Sequence, residues 1–171
     1  MNDSPRRVRA HLLHAAGGLL LAIVFAAPVR CSAGGTPAAV VAGDPWKAVQ
    51  LIKPAELAAV LAGSTRPKPL LLHVGFKPLF RAGAIPGSRY VGPGSRPDGI
   101  AALKRAVKDV PKDRGIVIYC GCCPWDHCPN MRPAFKTMRE LGFKNVRAMF
   151  ITKNLDDDWV AKGYPIETPG K

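Results

Sequence analysis

Four of the five cysteines in this chain fall within nine positions, from Cys120 to Cys128. They lie in the stretch IVIYCGCCPWDHCPNMRPAF (116–135), where an apolar run leads into the cysteines and a helical pattern follows them. Cysteines at this density could hold a metal ion, form disulfides or supply a reactive thiolate. The choice among these depends on the elements that position them.

Cys120 directly follows the strand-like run GIVIY (115–119), and a helical stripe begins near Met131. Backbone N–H groups in a strand-to-helix loop, together with the positive end of the helix dipole, stabilise a thiolate and bind anions. Cys120 is therefore the predicted nucleophile. The predicted anion cradle, with Arg132 as a source of positive charge, comprises Gly121, Cys122, Cys123, Trp125, Asp126 and Arg132.

The other three cysteines, Cys122, Cys123 and Cys128, are predicted to be a redox or resolving set, or a disulfide staple. A metal site is the alternative, with Cys120 and these three as ligands and His127 as a substitute. Structural zinc usually takes two separated ligand pairs, and the adjacent Cys122 and Cys123 do not suit that arrangement. We therefore expect neither a metal ion nor another cofactor.

The N-terminus has the pattern of a targeting segment. Arg6, Arg7 and Arg9 precede the apolar run GGLLLAIVFAA (17–27), and small residues follow. This pattern predicts a secretory signal peptide. The predicted organisation is a signal peptide over 1–33, a small-residue linker over 34–46 and a domain over 47–168. We expect export to a periplasmic or other extracytoplasmic space, where disulfides persist, and membrane contact only through an uncleaved N-terminus.

The formal net charge of the chain is +13. A basic surface attracts anionic ligands. The basic residues are scattered and do not alternate with aromatic residues, so we do not expect nucleic acid as a partner.

Strand and helix patterns alternate along the chain, separated by turns, with turn residues at Gly83 and at Pro86-Gly87. This alternation predicts a single α/β domain with a mostly parallel central sheet flanked by helices on both faces. Ligand sites in such sheets lie beyond the carboxyl ends of the strands, which is where the cysteine loop follows Tyr119. Strands are predicted at 49–52, 70–74, 89–91, 115–119 and 145–150, and helices at 54–62, 100–110, 131–141 and 156–163.

Four segments, in order, resemble the rhodanese-like domains, a sulfurtransferase family. They are AGAIPGSRYV (82–91), IVIYC (116–120), LGFKNVRAM (141–149) and WVAKGYPIE (159–167). The resemblance covers most of residues 47–167 and implies a rhodanese-like fold. This chain would be an exported variant with an enlarged, cysteine-rich active loop.

The resemblance also implies a reaction. Cys120 would take a sulfane sulfur from an anionic donor such as thiosulfate, and would pass it as a persulfide to a thiol or to cyanide. The expected activity is that of a thiosulfate sulfurtransferase, with a small anionic sulfur donor and a thiol acceptor as partners. Two alternatives stay open: a non-enzymatic module whose loop binds a metal or a partner, and a thiol–disulfide oxidoreductase.

Overall fold

The computed structural model describes residues 43–169. Within this range five strands form one sheet with the order β1–β5–β4–β2–β3, and every pair of neighbouring strands is parallel. The predicted α/β class is therefore confirmed. The strands are β1 (Leu51–Ile52), β2 (Leu70–His73), β3 (Arg89–Tyr90), β4 (Ile116–Tyr119) and β5 (Val146–Met149).

Four of the five α-helices of the described chain lie where the sequence predicts them, within a few residues. The exception is the helix at Lys77–Ala82, for which the sequence predicted no element. None of its residues is buried, so it has no apolar stripe that could have revealed it. The helices are α1 (Pro54–Ala62), α2 (Lys77–Ala82), α3 (Pro97–Ala106), α4 (Met131–Glu140) and α5 (Leu155–Asp158), with short 3₁₀ helices at Ala48–Gln50 and Val160–Lys162.

The core has two layers, one on each face of the sheet. Ile116 and Ile118 of β4 pack on the face that α3 and α4 cover, and Val117 and Tyr119 pack on the face that α1 and α5 cover. All four residues of β4 are buried, as expected for a central strand covered on both sides. The predicted helices on both faces are thus present.

The packed domain begins before residue 47, inside the stretch predicted to be a linker. Trp46 is 2% exposed and belongs to the core on the α4 side. Asp44 forms an ion pair with Arg132, with 2.7 Å between Oδ1 and Nε. The predicted signal peptide and Cys31 lie outside the described residues. No helix of the described chain is long and apolar enough to cross a membrane.

Candidate active site

The cysteine loop leaves the central strand of the sheet. β4 lies between β2 and β5, and Cys120 is the first residue after it. Gly121 has a φ of +81°, a backbone conformation that glycine adopts most readily. The loop is tied to the segment after β5, since the N–H of Trp125 donates to the carbonyl of Ile151 at 2.8 Å and the N–H of Leu155 donates to the carbonyl of Gly121 at 3.0 Å.

The sulfur atoms of the loop form a cluster around Cys122. Cys122 Sγ lies 3.2 Å from Cys120 Sγ, 2.9 Å from Cys123 Sγ and 3.8 Å from Cys128 Sγ. These distances are longer than the S–S bond of about 2.05 Å, and all four residues carry free thiols. The structure therefore brings the predicted nucleophile and the predicted redox set together.

Asn130 is the residue of this site that the sequence did not reveal. Its side chain is fully buried, and its Nδ2 donates a hydrogen bond to Cys120 Sγ over 3.3 Å. Its Oδ1 accepts hydrogen bonds from the backbone N–H of Ser95 at 3.1 Å and from the Ser95 hydroxyl at 2.8 Å. An asparagine just before a helix is ordinarily interpreted as an N-cap. Here, however, the side chain makes no capping hydrogen bond.

The environment of Cys120 favours its thiolate. The pKa of Cys120 is held well below its ordinary value, mainly by hydrogen bonds from the thiols of Cys122 and Cys128. Burial of Cys120 opposes this effect. The Asn130 amide and the backbone N–H of Cys122 lower the pKa further. The same hydrogen bonds to Cys120 raise the pKa of Cys122 and of Cys128. One thiolate surrounded by protonated thiols is the arrangement expected of a nucleophilic cysteine.

The loop after β2 closes a second side of Cys120. A Cβ atom added to Gly75 would lie 2.8 Å from Cys120 Sγ and 2.9 Å from His73 Cε1, so this position accepts only glycine without displacing a neighbour. The Gly75 N–H donates to His73 Nδ1 at 3.3 Å. Burial lowers the pKa of His73 to about 4, so its imidazole is neutral at physiological pH. His73 is therefore a buried, hydrogen-bonded core residue.

Trp125 anchors the loop. It is 7% exposed, and its ring centroid lies 5.7 Å from that of Trp46 and 5.3 Å from that of Phe150. Its backbone N–H donates to the carbonyl of Ile151. This N–H is therefore directed at a protein carbonyl and not at a bound anion, which differs from its predicted place in the anion cradle.

The charged residues of the loop interact mainly with one another. The exposed His127 and the half-buried Asp126 form a pair with 2.9 Å between Nδ1 and Oδ1. Arg132 donates from Nε to Asp44 and from an NH group to the carbonyl of Asp126, each over 2.7 Å. Arg132 thus fixes the loop to the N-terminal segment, and its electrostatic support of Cys120 stays a prediction.

Metal binding stays an alternative for this site. Among the described residues, Cys120, Cys122 and Cys128 form the group whose ligand atoms all lie within 4.8 Å of one another. Cys123 and His127, the other two candidate ligands, are outside this group. Tetrahedral zinc in a structural site takes four protein ligands, so the three sulfur atoms supply one ligand too few.

The space around Cys120 is tightly filled. The gap bounded by Cys120, Trp125, Met131 and Ile151 does not hold a water-sized sphere. A cavity of about 450 Å³ lies between α1 and Trp159 on the opposite face of the sheet, and the cysteines do not line it. A reactant must therefore reach Cys120 through the outer, half-buried side of the loop.

No protein-family model matches the sequence, and no curated protein matches it significantly. Solved structures do match. The chain superposes on the Alr3790 protein from Anabaena sp. with a TM-score of 0.52 and 22% identity, over 68% of this chain and 81% of that one. The BH2092 protein from Bacillus halodurans matches with a TM-score of 0.53 and 18% identity, over 68% of this chain and 74% of that one.

A third matching structure is described by its fold. It is the solution structure of the rhodanese-like domain of the Anabaena Alr3790 protein, with a TM-score of 0.50 and 22% identity, over 69% of this chain and 78% of that domain. Similarity at this level of identity concerns the fold. Together with the parallel sheet and its α/β layers, it shows that this chain has a rhodanese-like fold.

Proposed function

We propose that this chain is a sulfurtransferase that carries a sulfane sulfur as a persulfide on Cys120. The donor is a small anion of the thiosulfate type, and the acceptor is a thiol or cyanide. The observation that supports this function best is the thiolate-stabilising contact set of Cys120 at the end of the central strand: the Asn130 amide at 3.3 Å and the Cys122 thiol at 3.2 Å.

The reaction needs no external oxidant or reductant. The Cys120 thiolate attacks the outer sulfur of thiosulfate, the sulfur–sulfur bond of the donor breaks, and sulfite leaves with the electron pair. An acceptor thiolate then attacks the outer sulfur of the Cys120 persulfide, and Cys120 Sγ recovers the electron pair. The same hydrogen bonds that lower the pKa of Cys120 make it a good leaving group in this second step.

The location of the activity is also part of the proposal. The N-terminal pattern supports export to a periplasmic or extracytoplasmic space, and the net charge of +13 supports attraction of an anionic donor. In an oxidising space the reduced state of Cys120 is required for turnover, since only the thiolate attacks the donor.

Intact-mass measurement of the purified protein tests the proposal. After incubation with thiosulfate, the protein should gain the mass of one sulfur atom, and cyanide should remove it. The Cys120→Ser variant should gain nothing. No sulfur gain by the native protein would contradict the proposal.

The second candidate function is metal binding, favoured by the three sulfur atoms within 4.8 Å of one another. Intact-mass measurement under native conditions, which keep a bound metal ion in place, distinguishes it. A stoichiometric mass of bound zinc, lost when any one of Cys120, Cys122 and Cys128 is replaced by Ser, would favour this function. The sulfurtransferase proposal expects no such dependence on all three residues.

A further inference from the structure

The four thiols of the loop differ in their access to solvent. Cys120 is 2% exposed and Cys128 is 1% exposed, whereas Cys122 and Cys123 are half-buried. Cyanide or a small anion needs only a slight opening of the loop to approach Cys120. The thiol of a tripeptide or of a protein carries a bulky chain, so a buried sulfur is a poor partner for it.

The position of an added sulfur on Cys120 is restricted by packing. The gap beside Cys120, which Cys123, Cys128, Trp125 and Met131 also line, is too small for a water molecule. A second side is closed by Gly75, since a Cβ added there would lie 2.8 Å from Cys120 Sγ. Cys122 Sγ lies 3.2 Å from Cys120 Sγ, within reach of a sulfur that Cys120 carries.

The geometry points to Cys122 as a second sulfur carrier, which takes the sulfane sulfur from Cys120 and presents it to a thiol acceptor at the surface of the loop. This inference rests on the proposed sulfurtransferase function. It identifies the residue that the acceptor meets, and it predicts that small and bulky acceptors take the sulfur by different routes.

The internal transfer is balanced in atoms and electrons. The Cys122 proton moves to the outer sulfur of the Cys120 persulfide, which leaves a Cys122 thiolate as the nucleophile. Cys122 Sγ then attacks that outer sulfur, a bond forms between them, and the bond from Cys120 Sγ to the outer sulfur breaks. The electron pair of the broken bond stays on Cys120 Sγ as the thiolate. The products are a Cys122 persulfide and the Cys120 thiolate, which is ready for another donor.

Cys123 and Cys128 fit the role of second sulfur carrier less well than Cys122 does. Cys128 is as buried as Cys120, so moving the sulfur to it would not improve access. Cys123 is half-buried, and its Sγ contacts Cys122 Sγ at 2.9 Å. A sulfur would therefore pass to Cys123 from Cys122, after Cys122 had already carried it away from Cys120.

Acceptor discrimination in full-length Cys122→Ser and Cys122→Ala variants tests the inference. Each protein is loaded with thiosulfate, and loss of the persulfide to glutathione or to cyanide is followed by intact mass. Both variants should load a sulfur more slowly than the native protein, because they lose the Cys122 thiol that stabilises the Cys120 thiolate. Once they are loaded, we expect the ratio of the glutathione rate to the cyanide rate to fall about tenfold or more relative to the native protein. Cys123→Ser is the matched comparison, and its ratio should fall less.

A trapping measurement locates the sulfur directly. After loading, rapid alkylation and fragmentation of the peptide that spans residues 115–135 should place persulfide on both Cys120 and Cys122 in the native protein. Glutathione and cyanide rates that keep their native ratio in both Cys122 variants would overturn the inference while leaving the proposed function intact. Failure of the native protein to gain any sulfur would overturn both.

Discussion

The Asn130 amide nitrogen lies 3.3 Å from the Cys120 sulfur, while the oxygen of the same amide is held by Ser95. The loop after β3 thereby orients a hydrogen-bond donor toward the thiolate at the end of β4. Gly94 permits this approach, since a Cβ added there would lie 2.2 Å from the backbone oxygen of Asn130. A thiolate held by an oriented amide is stabilised without reorganisation of its surroundings.

Replacing Asn130 by Ala should raise the pKa of Cys120 by about one to two units, because a hydrogen bond to a charged group contributes about 1.5–3 kcal/mol. The measurement is the pH dependence of thiolate absorbance, with Cys120→Ser subtracted as background. Ser95→Ala is the comparison, since it removes one of the two hydrogen bonds to Asn130 Oδ1 and keeps the Nδ2 donor, so it should raise the pKa of Cys120 less. An unchanged titration curve in Asn130→Ala would mean that this hydrogen bond does not stabilise the thiolate.

The native protein should retain the Cys120 thiolate in acid. Since hydrogen bonds from Cys122, Cys128 and Asn130 hold the pKa of Cys120 below its ordinary value, the thiolate should still be present at about pH 5, where an ordinary cysteine is protonated. The difference in absorbance between native protein and Cys120→Ser measures it. A difference that disappears as the pH falls from about 9 to 7 would contradict the stabilised thiolate.

Replacing Gly75 by Ala should disturb Cys120 directly. The new Cβ would lie 2.8 Å from Cys120 Sγ and 3.1 Å from the Cys120 carbonyl oxygen, so the loop must move, at a cost of about 1–3 kcal/mol in the free energy of unfolding. We expect persulfide formation to slow about tenfold or more. Urea denaturation and mass-monitored loading measure the two effects.

Gly115→Ala is the matched control for Gly75→Ala, because nothing lies within 4 Å of a Cβ added at that position. It should alter the free energy of unfolding by less than about 1 kcal/mol and leave loading at the native rate. Equal behaviour of the two variants would argue against a packing role for Gly75.

His73 should make the protein less stable in mild acid. Its pKa is lowered from 6.5 to about 4 in the folded protein, mainly by burial, so between these values the unfolded chain binds a proton that the folded chain does not. The free energy of unfolding therefore falls as the pH decreases from 6.5 to about 4. In total, His73 lowers the free energy of unfolding by about 3 kcal/mol across this pH range.

Urea denaturation across this pH range measures the effect, with His73→Gln as the comparison. The variant starts from a lower stability, because it loses ring contacts with Phe80, Tyr90 and Tyr119, but its stability should depend less steeply on pH. Parallel curves for the two proteins would show that His73 does not titrate on unfolding as described.

Replacing Trp46 by Ala should loosen the cysteine loop from a distance. Trp46 packs on Trp125 with 5.7 Å between ring centroids and on Phe135 with 5.4 Å, so the truncation should cost about 3–5 kcal/mol in the free energy of unfolding. It should also speed alkylation of the loop cysteines, because Trp125 loses a packing partner.

Two further variants serve as controls for Trp46→Ala. Trp46→Phe keeps an aromatic ring and removes a buried indole N–H that lacks a hydrogen-bond partner within the described chain, so it should cost much less than Ala. Val49→Ala changes a side chain that is 82% exposed and should lie within about 0.5 kcal/mol of the native protein. If the loop cysteines of Trp46→Ala are alkylated at the native rate, the contact between Trp46 and Trp125 does not order the loop.

The sequence predicted most elements because their signals are local. Pro54 at the first position of α1 and Gly63 after its last residue are the start and stop signals of a helix. The buried strand β4 is a continuous apolar run. α2 was missed because it has no buried face, and Trp46 was assigned to a linker because small residues surround it in the sequence.

By itself, the sequence determined the order of the five strands and of four of the five α-helices, and it placed Cys120 at the end of a buried strand. Chain periodicity and turn residues are short-range properties, which is why they can be read from the sequence. Only the tertiary structure decided which groups surround that sulfur. Ser95 and Asn130 are 35 residues apart and Gly75 is 45 residues from Cys120, and pattern reading along one chain does not reveal such pairs. The packing of separate loops at one edge of the sheet brings them together, and it also leaves Cys122 half-buried beside a fully buried Cys120.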